Sequence, residues 1–517
     1  VPSPAKALGK PTCGACVGDP VNAGSGNVYR REEDFHVGPW LSFARYYNSD
    51  PSAGVDTFGQ HWRHAYSSHV AYVAGTGGAG TVTVTREDGR VSTYALLNGL
   101  WAGEPDVFDA LTEQTDGSGN PTGWTLKRVD TRSTEQYNAS GHLSSIQSQE
   151  GFTTTLSYST TTTPTSVAPT AGYLITITDP SQRTIQLTYT SSGLINHATA
   201  PDGSGYSYAY DDSGDLSSVT YPDGKVFTYL YNESSNNGGA TTLGLLTGIL
   251  DESGVRYVSY SYSVAGKAIN NQQAGGVASY TITYNSDGST DVLDPLGTSR
   301  HHAFTTTMGV PYITSVNGTC ESCSPIASWT YDFNGTLNQT TDFNGNLTTY
   351  QHDGEGLLTG TVEGFGGTTP RPIQTDWNHT LHVPIERRWL NYSYAIVTKT
   401  DWLYNARGQA LAECAIDMSV SAAASYSCSA TGTLPVGVRR WTYTYCDTVG
   451  SGCPLVGLLL STTGPRTDLS QTTTYTYYTS SSATNCGAPG GACYQTGDLS
   501  QVTDALGHVT TYASYDA

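Results

Sequence analysis

"SSGLINHATAPDGSGYSYAYDDSGDLSSVTYPDGKVFTYLYN", residues 191–232, carries nearly the same pattern twice. Pro180, Pro201 and Pro222 are spaced by 21 residues; so are Tyr189, Tyr210 and Tyr231, and Gly193 and Gly214 keep the interval. A fixed period of this length marks a repeat architecture. Each unit divides into two alternating runs. In "YSYAY" the period of two puts Tyr206, Tyr208 and Tyr210 on one face of a strand. "DDSG" turns the chain, "LSSVTY" returns it and "PDG" turns it again. Asp and Gly supply the side-chain hydrogen bonds and positive φ angles that tight turns need. The unit is a β-hairpin, and since one hairpin cannot bury its own face, it must stack on its neighbours.

The same grammar recurs in "YNASGHL" (137–143), "TYNSDGSTDVLDPLGTS" (283–299), "YDFNGTLNQTTDFNGNLTTYQHDGEGLL" (331–358), "WLYNARGQAL" (402–411) and "VTDALGHVTTYASYDA" (502–517). No stretch sustains a helical period, so the predicted class is all-β, a sheet of repeated hairpins of about 21 residues each. Three segments are expected: an extended N-terminal piece over 1–17, a β-rich N-terminal module over 18–120, and the hairpin array over 121–517 with a linker near 161–172. Residues 417–432 and 480–493 read as longer excursions.

Composition narrows the function. Lys+Arg number 24 against 44 Asp+Glu, a net charge of -20. That field repels a duplex or an anionic membrane, so nucleic acid is not an expected partner. The most apolar run, "LVGLLL" at 455–460, is too short for a transmembrane helix. Charged residues make up only 13%, and Tyr (36) far outnumbers Phe (10), which suits strands with one apolar and one wet edge. The chain opens on Val1 without a signal-peptide pattern, which reads as a mature or excised product.

Ten cysteines fall into five close couples: Cys13/Cys16, Cys320/Cys323, Cys414/Cys428, Cys446/Cys453 and Cys486/Cys493. Local couples in even number read as disulfides formed in an oxidising, extracellular compartment. For "CGAC" and "CESC" a shared zinc site of four thiolates is the alternative. Neither is followed by His, so covalent haem is not indicated.

Other clusters offer little chemistry. His61, Trp62, Arg63 and His64 form the densest polar-aromatic group, but no nucleophile or metal partner stands at a known spacing, so internal hydrogen bonding is the expectation. Asp211, Asp212 and Asp215 resemble a calcium loop only in charge; the twelve-residue spacing and terminal Glu are missing, so a solvated turn is expected. No catalytic residue, cofactor or metal site is assigned.

The Tyr-Asp-x-x-Gly turns over most of 125–517 resemble the YD repeats of RHS proteins. "GDPVNAGSGNVYRREEDF" (18–35), "LSFARYYNS" (41–49), "FGQHWRHAY" (58–66) and "EDGRVSTY" (87–94) are similar, in the same order, to the N-terminal segment of bacterial RHS proteins. The resemblance implies a sheet strip that spirals into a hollow shell, as in toxin-complex cocoons and teneurins. Many RHS toxins cleave themselves near a DPxG motif. Here "DPLG" (294–297) lies mid-array and matches an ordinary repeat turn, so no protease role is carried to Asp294. Three functions are compatible: a secreted structural scaffold that associates end to end through its terminal strands, part of a shell enclosing a polypeptide cargo, or a glycan-binding adhesion protein.

Overall fold

The computed structural model describes residues 3–11, 14–74, 80–119, 121–317, 326–484 and 492–515. Among them, 35 strands pair into one antiparallel sheet that runs from His69–Val73 to Val509–Thr511. Strands follow chain order; only the small hairpin of Ser482–Thr484 and Ala492–Tyr494 stands aside. The sheet closes on itself at its first strand. His69 bridges His142, and Val70 N–H donates to Gly141 O at 2.9 Å.

The tyrosine pattern sets the register. Tyr189, Tyr210 and Tyr231 each end a strand, each lies opposite a Leu or Ile opening the next (Ile195, Leu216, Leu246), and each pairing follows a bulge. The tyrosine hydroxyl then reaches back across the preceding hairpin. Tyr189 donates to Leu174 O (2.6 Å), Tyr210 to Ile195 O (2.7 Å), Tyr231 to Leu216 O (2.8 Å) and Tyr262 to Leu246 O (2.8 Å). The carbonyl that receives one tyrosine belongs to the residue paired with the previous one, so the bonds form a relay along the sheet. Tyr158, Tyr284 and Tyr477 repeat it, and Tyr404 donates to Pro384 O, whose paired residue is Trp377. Burial pushes the Tyr189, Tyr210, Tyr231 and Tyr262 hydroxyls above their usual range, which keeps them as donors.

The aspartate of each unit shapes the turn. Asp211 Oδ1 accepts from Ser213 N and Asp215 N, both at 2.9 Å, and Gly214 takes φ +82°. No atom lies within 4 Å of a Cβ placed on Gly214, so the glycine answers to backbone conformation and not to crowding.

The N-terminal module forms a separate three-stranded sheet, Tyr29–Val37, Leu41–Asn48 and Trp62–His64. It packs on one face of the long sheet, and Phe43, Tyr47, Phe58 and Trp62 share a core with Tyr208, Leu216, Tyr229 and Ile249. Strands under the module alternate sharply between buried and exposed, as in Thr184–Tyr189; strands beyond it, such as Ile326–Tyr331 and Leu347–His352, are half-covered on both faces.

The strip coils, since distant hairpin tips meet. Arg183 Nη1 lies 3.3 Å from Asp498 Oδ1, the Trp40 and Phe152 rings are 4.8 Å apart, and Gln149 donates to Leu381 O. The right-handed twist of strands accumulates into this winding.

Two expectations meet a different arrangement. The long sheet begins at His69 rather than at 121, because the strands over 69–115 alternate and pair as hairpins without carrying the tyrosine signature. Pro4–Ala7 forms a turn of 3-10 helix, pinned where buried Lys6 contacts Glu104 (2.7 Å) and Asp106 (2.6 Å). A proline at the first helical position favours that turn over an extended segment.

Candidate functional site

The seam between the N-terminal module and the long sheet holds most of the buried polar chemistry. At its centre is a salt bridge with both side chains fully buried. Asp34, late in the first module strand, and Arg45, in the second, meet across an antiparallel pair. Arg45 Nη2 lies 2.8 Å from Asp34 Oδ1 and its Nε 2.9 Å from Oδ2. The sheet supplies the remaining partners: Tyr208 donates to Asp34 Oδ2 (2.7 Å), and Arg45 Nη1 donates to the Tyr229 hydroxyl (3.1 Å). The guanidinium stands 5.4 Å from the Trp62 ring centre, 5.8 Å from Tyr208 and 5.6 Å from Tyr229. Burial opposes the Arg45 charge, but Asp34 together with Tyr229 and Tyr208 outweighs it and holds the group well above its usual value. A buried pair of this kind is useful only with its hydrogen bonds complete; here half of them come from the repeats.

Further bonds stitch the seam. Tyr47 donates to Gly244 O (2.8 Å) and accepts from Leu246 N (2.8 Å). Arg30 reaches the hydroxyls of Tyr257 and Tyr260, each at 2.8 Å. Backbone joins in, through Ile195 N to Thr57 O and Ala268 N to Gly26 O. The strand Gly205–Tyr210 thus carries two kinds of tyrosine: Tyr210 holds its own sheet and Tyr208 faces the module.

The His-Trp-Arg-His cluster is buried throughout. Trp62 Nε1 donates to the Tyr231 hydroxyl at 2.8 Å, so the tryptophan engages a relay tyrosine directly. His61 Nδ1 lies 2.7 Å from Asn48 O. Burial depresses His64 to about 4, so it is neutral, and its Nδ1 accepts from Tyr66 N at 3.2 Å. Asp211 spends its carboxylate on its turn, while Asp215 points inward, with Oδ1 buried and without a hydrogen-bond partner. Burial and the nearby Asp211 raise Asp215 to about 6. The two acids of one turn therefore face opposite ways and do not converge on a cation. Asp294 caps the turn of "DPLG", accepting from Leu296 N and Thr298 N at 2.9 Å, with Arg300 on its other oxygen.

Disulfides join Cys414 to Cys428 and Cys446 to Cys453. The first holds the 417–432 excursion, where Ile416, Ala423 and Val438 make a small core of their own. Cys493 is disulfide-bonded, while Cys486, expected as its partner, lies outside the described residues, as do Cys13, Cys320 and Cys323. Cys16 opens a short strand and is exposed.

The Asp34–Arg45 bridge escaped sequence reading. Both residues sit inside motifs singled out for their resemblance, "REEDF" and "FAR", but their tyrosine partners lie 174 and 184 residues away. Alternation with Phe35 and Val37 places Asp34 on the outer face; a register shift between Glu33 and Phe35 turns it inward, and the sequence carries no signal of that shift.

Residues 125–244 match the family model described as Teneurin YD-shell, a span that holds the relay tyrosines Tyr158, Tyr189, Tyr210 and Tyr231. Over this span the chain is a YD-repeat shell sequence. Residues 18–94 match a domain of unknown function (DUF6531), a span that contains the module of this YD-repeat chain. No curated protein matches it. Among solved structures it is similar to the Tc holotoxin pore of Photorhabdus luminescens, at 14% identity over 92% of this chain and 29% of that one, TM-score 0.42. It is also similar to TcdB2-TccC3, at 14% identity over 92% and 30%, TM-score 0.43, and to TcdB2-TccC3 without its hypervariable C-terminal region, at 12% over 92% and 29%, TM-score 0.40. The YD-repeat chain spans under a third of the length of these structures.

Proposed function

We propose that this chain is a non-catalytic wall segment of an extracellular shell that encloses a polypeptide, with residues 18–68 as an internal plug. The observation that carries this reading is the uneven cover of the long sheet: the module fills one face under the early repeats, and the later repeats leave the same strip open. A strip that coils with one end filled and the rest only half-covered has room for a second polypeptide. The bonded Cys414–Cys428 and Cys446–Cys453 pairs support an oxidising compartment. The central Asp34–Arg45 pair of the seam has its hydrogen bonds taken by structural partners, Tyr208 and Tyr229, which supports a scaffold over an enzyme.

Protease protection of the full-length protein tests it. An enclosed polypeptide survives protease at doses that degrade it once the shell is opened with denaturant. Equal cleavage rates before and after opening overturn the reading. End-to-end association is a second proposal. The exposed strand Val509–Thr511 pairs only with Leu499–Thr503 among the described residues, and an open edge is a template for another strand. Light scattering that finds only monomers at high concentration rejects it.

A further inference from the structure

The first turn of the chain buries a charged group that the wall does not need. Lys6 lies in the 3-10 turn Pro4–Ala7, and its side chain is buried. Ala5 and Leu8 on either side pack with Ala53 of the module and Val91 of the sheet, which seats the turn. Facing it, Val107 N–H donates to Glu104 O at 2.8 Å and closes a tight turn with Pro105 and Asp106 at its corner. Proline fixes its own φ there, and the acids on either side of it both reach the lysine. Lys6 Nζ lies 2.6 Å from Asp106 Oδ1 and 2.7 Å from Glu104 Oε2. The Asp106 side chain is 7% exposed and that of Glu104 20%, so the aspartate is the drier of the two.

Two carboxylates around one ammonium make a poor ion pair. Among the described residues no other cation is in salt-bridge contact with either acid, so one negative charge is left over. Taking such a set out of water costs more than its contacts return unless the geometry gives something further. The same set suits a condensation. An amine nucleophile touches a carboxyl group, a second carboxylate stands ready to carry protons, and all three are held in contact, which replaces a bimolecular encounter.

We propose that Lys6 and Asp106 are joined by an amide bond between Nζ and Cγ, with Glu104 as the proton carrier. The Lys6 ammonium passes a proton to Asp106 through their contact, which leaves a neutral amine and a neutral acid. The nitrogen lone pair forms the bond to Cγ. Glu104 takes a proton from that nitrogen and delivers it to the acid hydroxyl, and the C–O bond breaks as water leaves. No oxidant or cofactor enters. The product is a neutral amide, and Glu104 ends as the carboxylate it began as. Burial penalises a neutral amide less than an ion pair. The linked residues are 100 positions apart, and the module lies between them, so the bond fastens the module to the long sheet. The wall reading does not require this bond, and each can fail alone.

Mass spectrometry of the full chain, reduced and denatured, tests it. The parent is expected to weigh one water less than its sequence, and its digest to contain a branched peptide that joins Lys6 to Asp106. Lys6→Arg keeps the charge but not the amine, and Glu104→Gln removes the proton carrier. Both, purified as folded protein, are expected to have their full sequence mass. A parent of full sequence mass overturns the proposal. So does a branch point at Glu104 in place of Asp106, a bond formed undiminished in Glu104→Gln, or a water loss that persists in Lys6→Arg, as an aspartate-glycine imide elsewhere would give.

Discussion

The tyrosine hydroxyl is the unit of cohesion at the residue scale. Each relay tyrosine gives one hydrogen bond to a carbonyl of the preceding hairpin, and such a bond contributes about 1 kcal/mol net. Tyr210→Phe keeps the ring and removes the 2.7 Å bond to Ile195 O together with a long contact to Thr57 O at 3.5 Å. It is expected to lower stability by about 1 kcal/mol in denaturant unfolding, while Tyr392→Phe, an exposed tyrosine, is expected to change nothing measurable. The Asp34–Arg45 bridge is a larger matter. Asp34→Ala strands a buried guanidinium and is expected to cost about 3–5 kcal/mol. A paired Asp34→Leu/Arg45→Met variant is expected to recover most of that loss, read as an unfolding midpoint near the parent's. The relay was half legible in the sequence: the period of Tyr189, Tyr210 and Tyr231 fixed their strand positions, but not that each hydroxyl crosses a hairpin. That crossing depends on the bulge before each tyrosine, and a bulge leaves no signature in an alternating run.

The hairpin turn decides the register at the element scale. Asp211 holds the turn through two backbone N–H groups, and Gly214 supplies the left-handed residue. Gly214→Ala is expected to cost about 1 kcal/mol through conformation alone, since open space surrounds the site. Gly214→Asn is expected to cost less, because Asn tolerates that region better; the ordering of the two midpoints checks the argument. These turns were the most readable feature of the chain, because Tyr-Asp-x-x-Gly encodes strand end, cap and positive φ in five consecutive residues. The strands over 69–115 were harder to place. Tyr94 and Trp124 pack in the same core as the relay residues, but the hairpins between them lack the motif and look like a separate unit.

At the scale of the whole molecule the pH response follows from groups buried uncharged. Burial depresses His64 to about 4 and also lowers His61, His69 and His302. Between pH 6.5 and 4 the unfolded chain takes up protons on these histidines that the folded chain does not, so stability falls as pH falls. Asp215 acts in the opposite sense. Its folded value of about 6 lies above its ordinary 3.8, so the folded form is favoured as pH drops below 6 and is penalised above it. Burial lowers His352 as well, and it raises Glu87, Asp109, Glu135 and Asp401 in the same sense as Asp215; the five histidines all lose stability through one window, and thermal unfolding is expected to shift downward between pH 7.5 and 5. Asp215→Asn is expected to raise the midpoint at pH 7.5 and to enlarge the fall on acidification, because one opposing group is gone. None of these burial effects could be read from the sequence. Asp215 and Asp211 share one turn and differ only in which way the side chain faces, and that is set by the module packed over Asp215.

Cryo-electron microscopy of the purified protein tests the central claim most directly, namely that the repeats form one coiled strip with the N-terminal module seated on its inner face. The expected map shows a continuous sheet with Arg183 against Asp498, one winding on the next, and density for the Asp34–Arg45 bridge between Tyr208 and Tyr229. An open, uncoiled strip, or a module detached from the strands around Tyr208 and Tyr229, would contradict it.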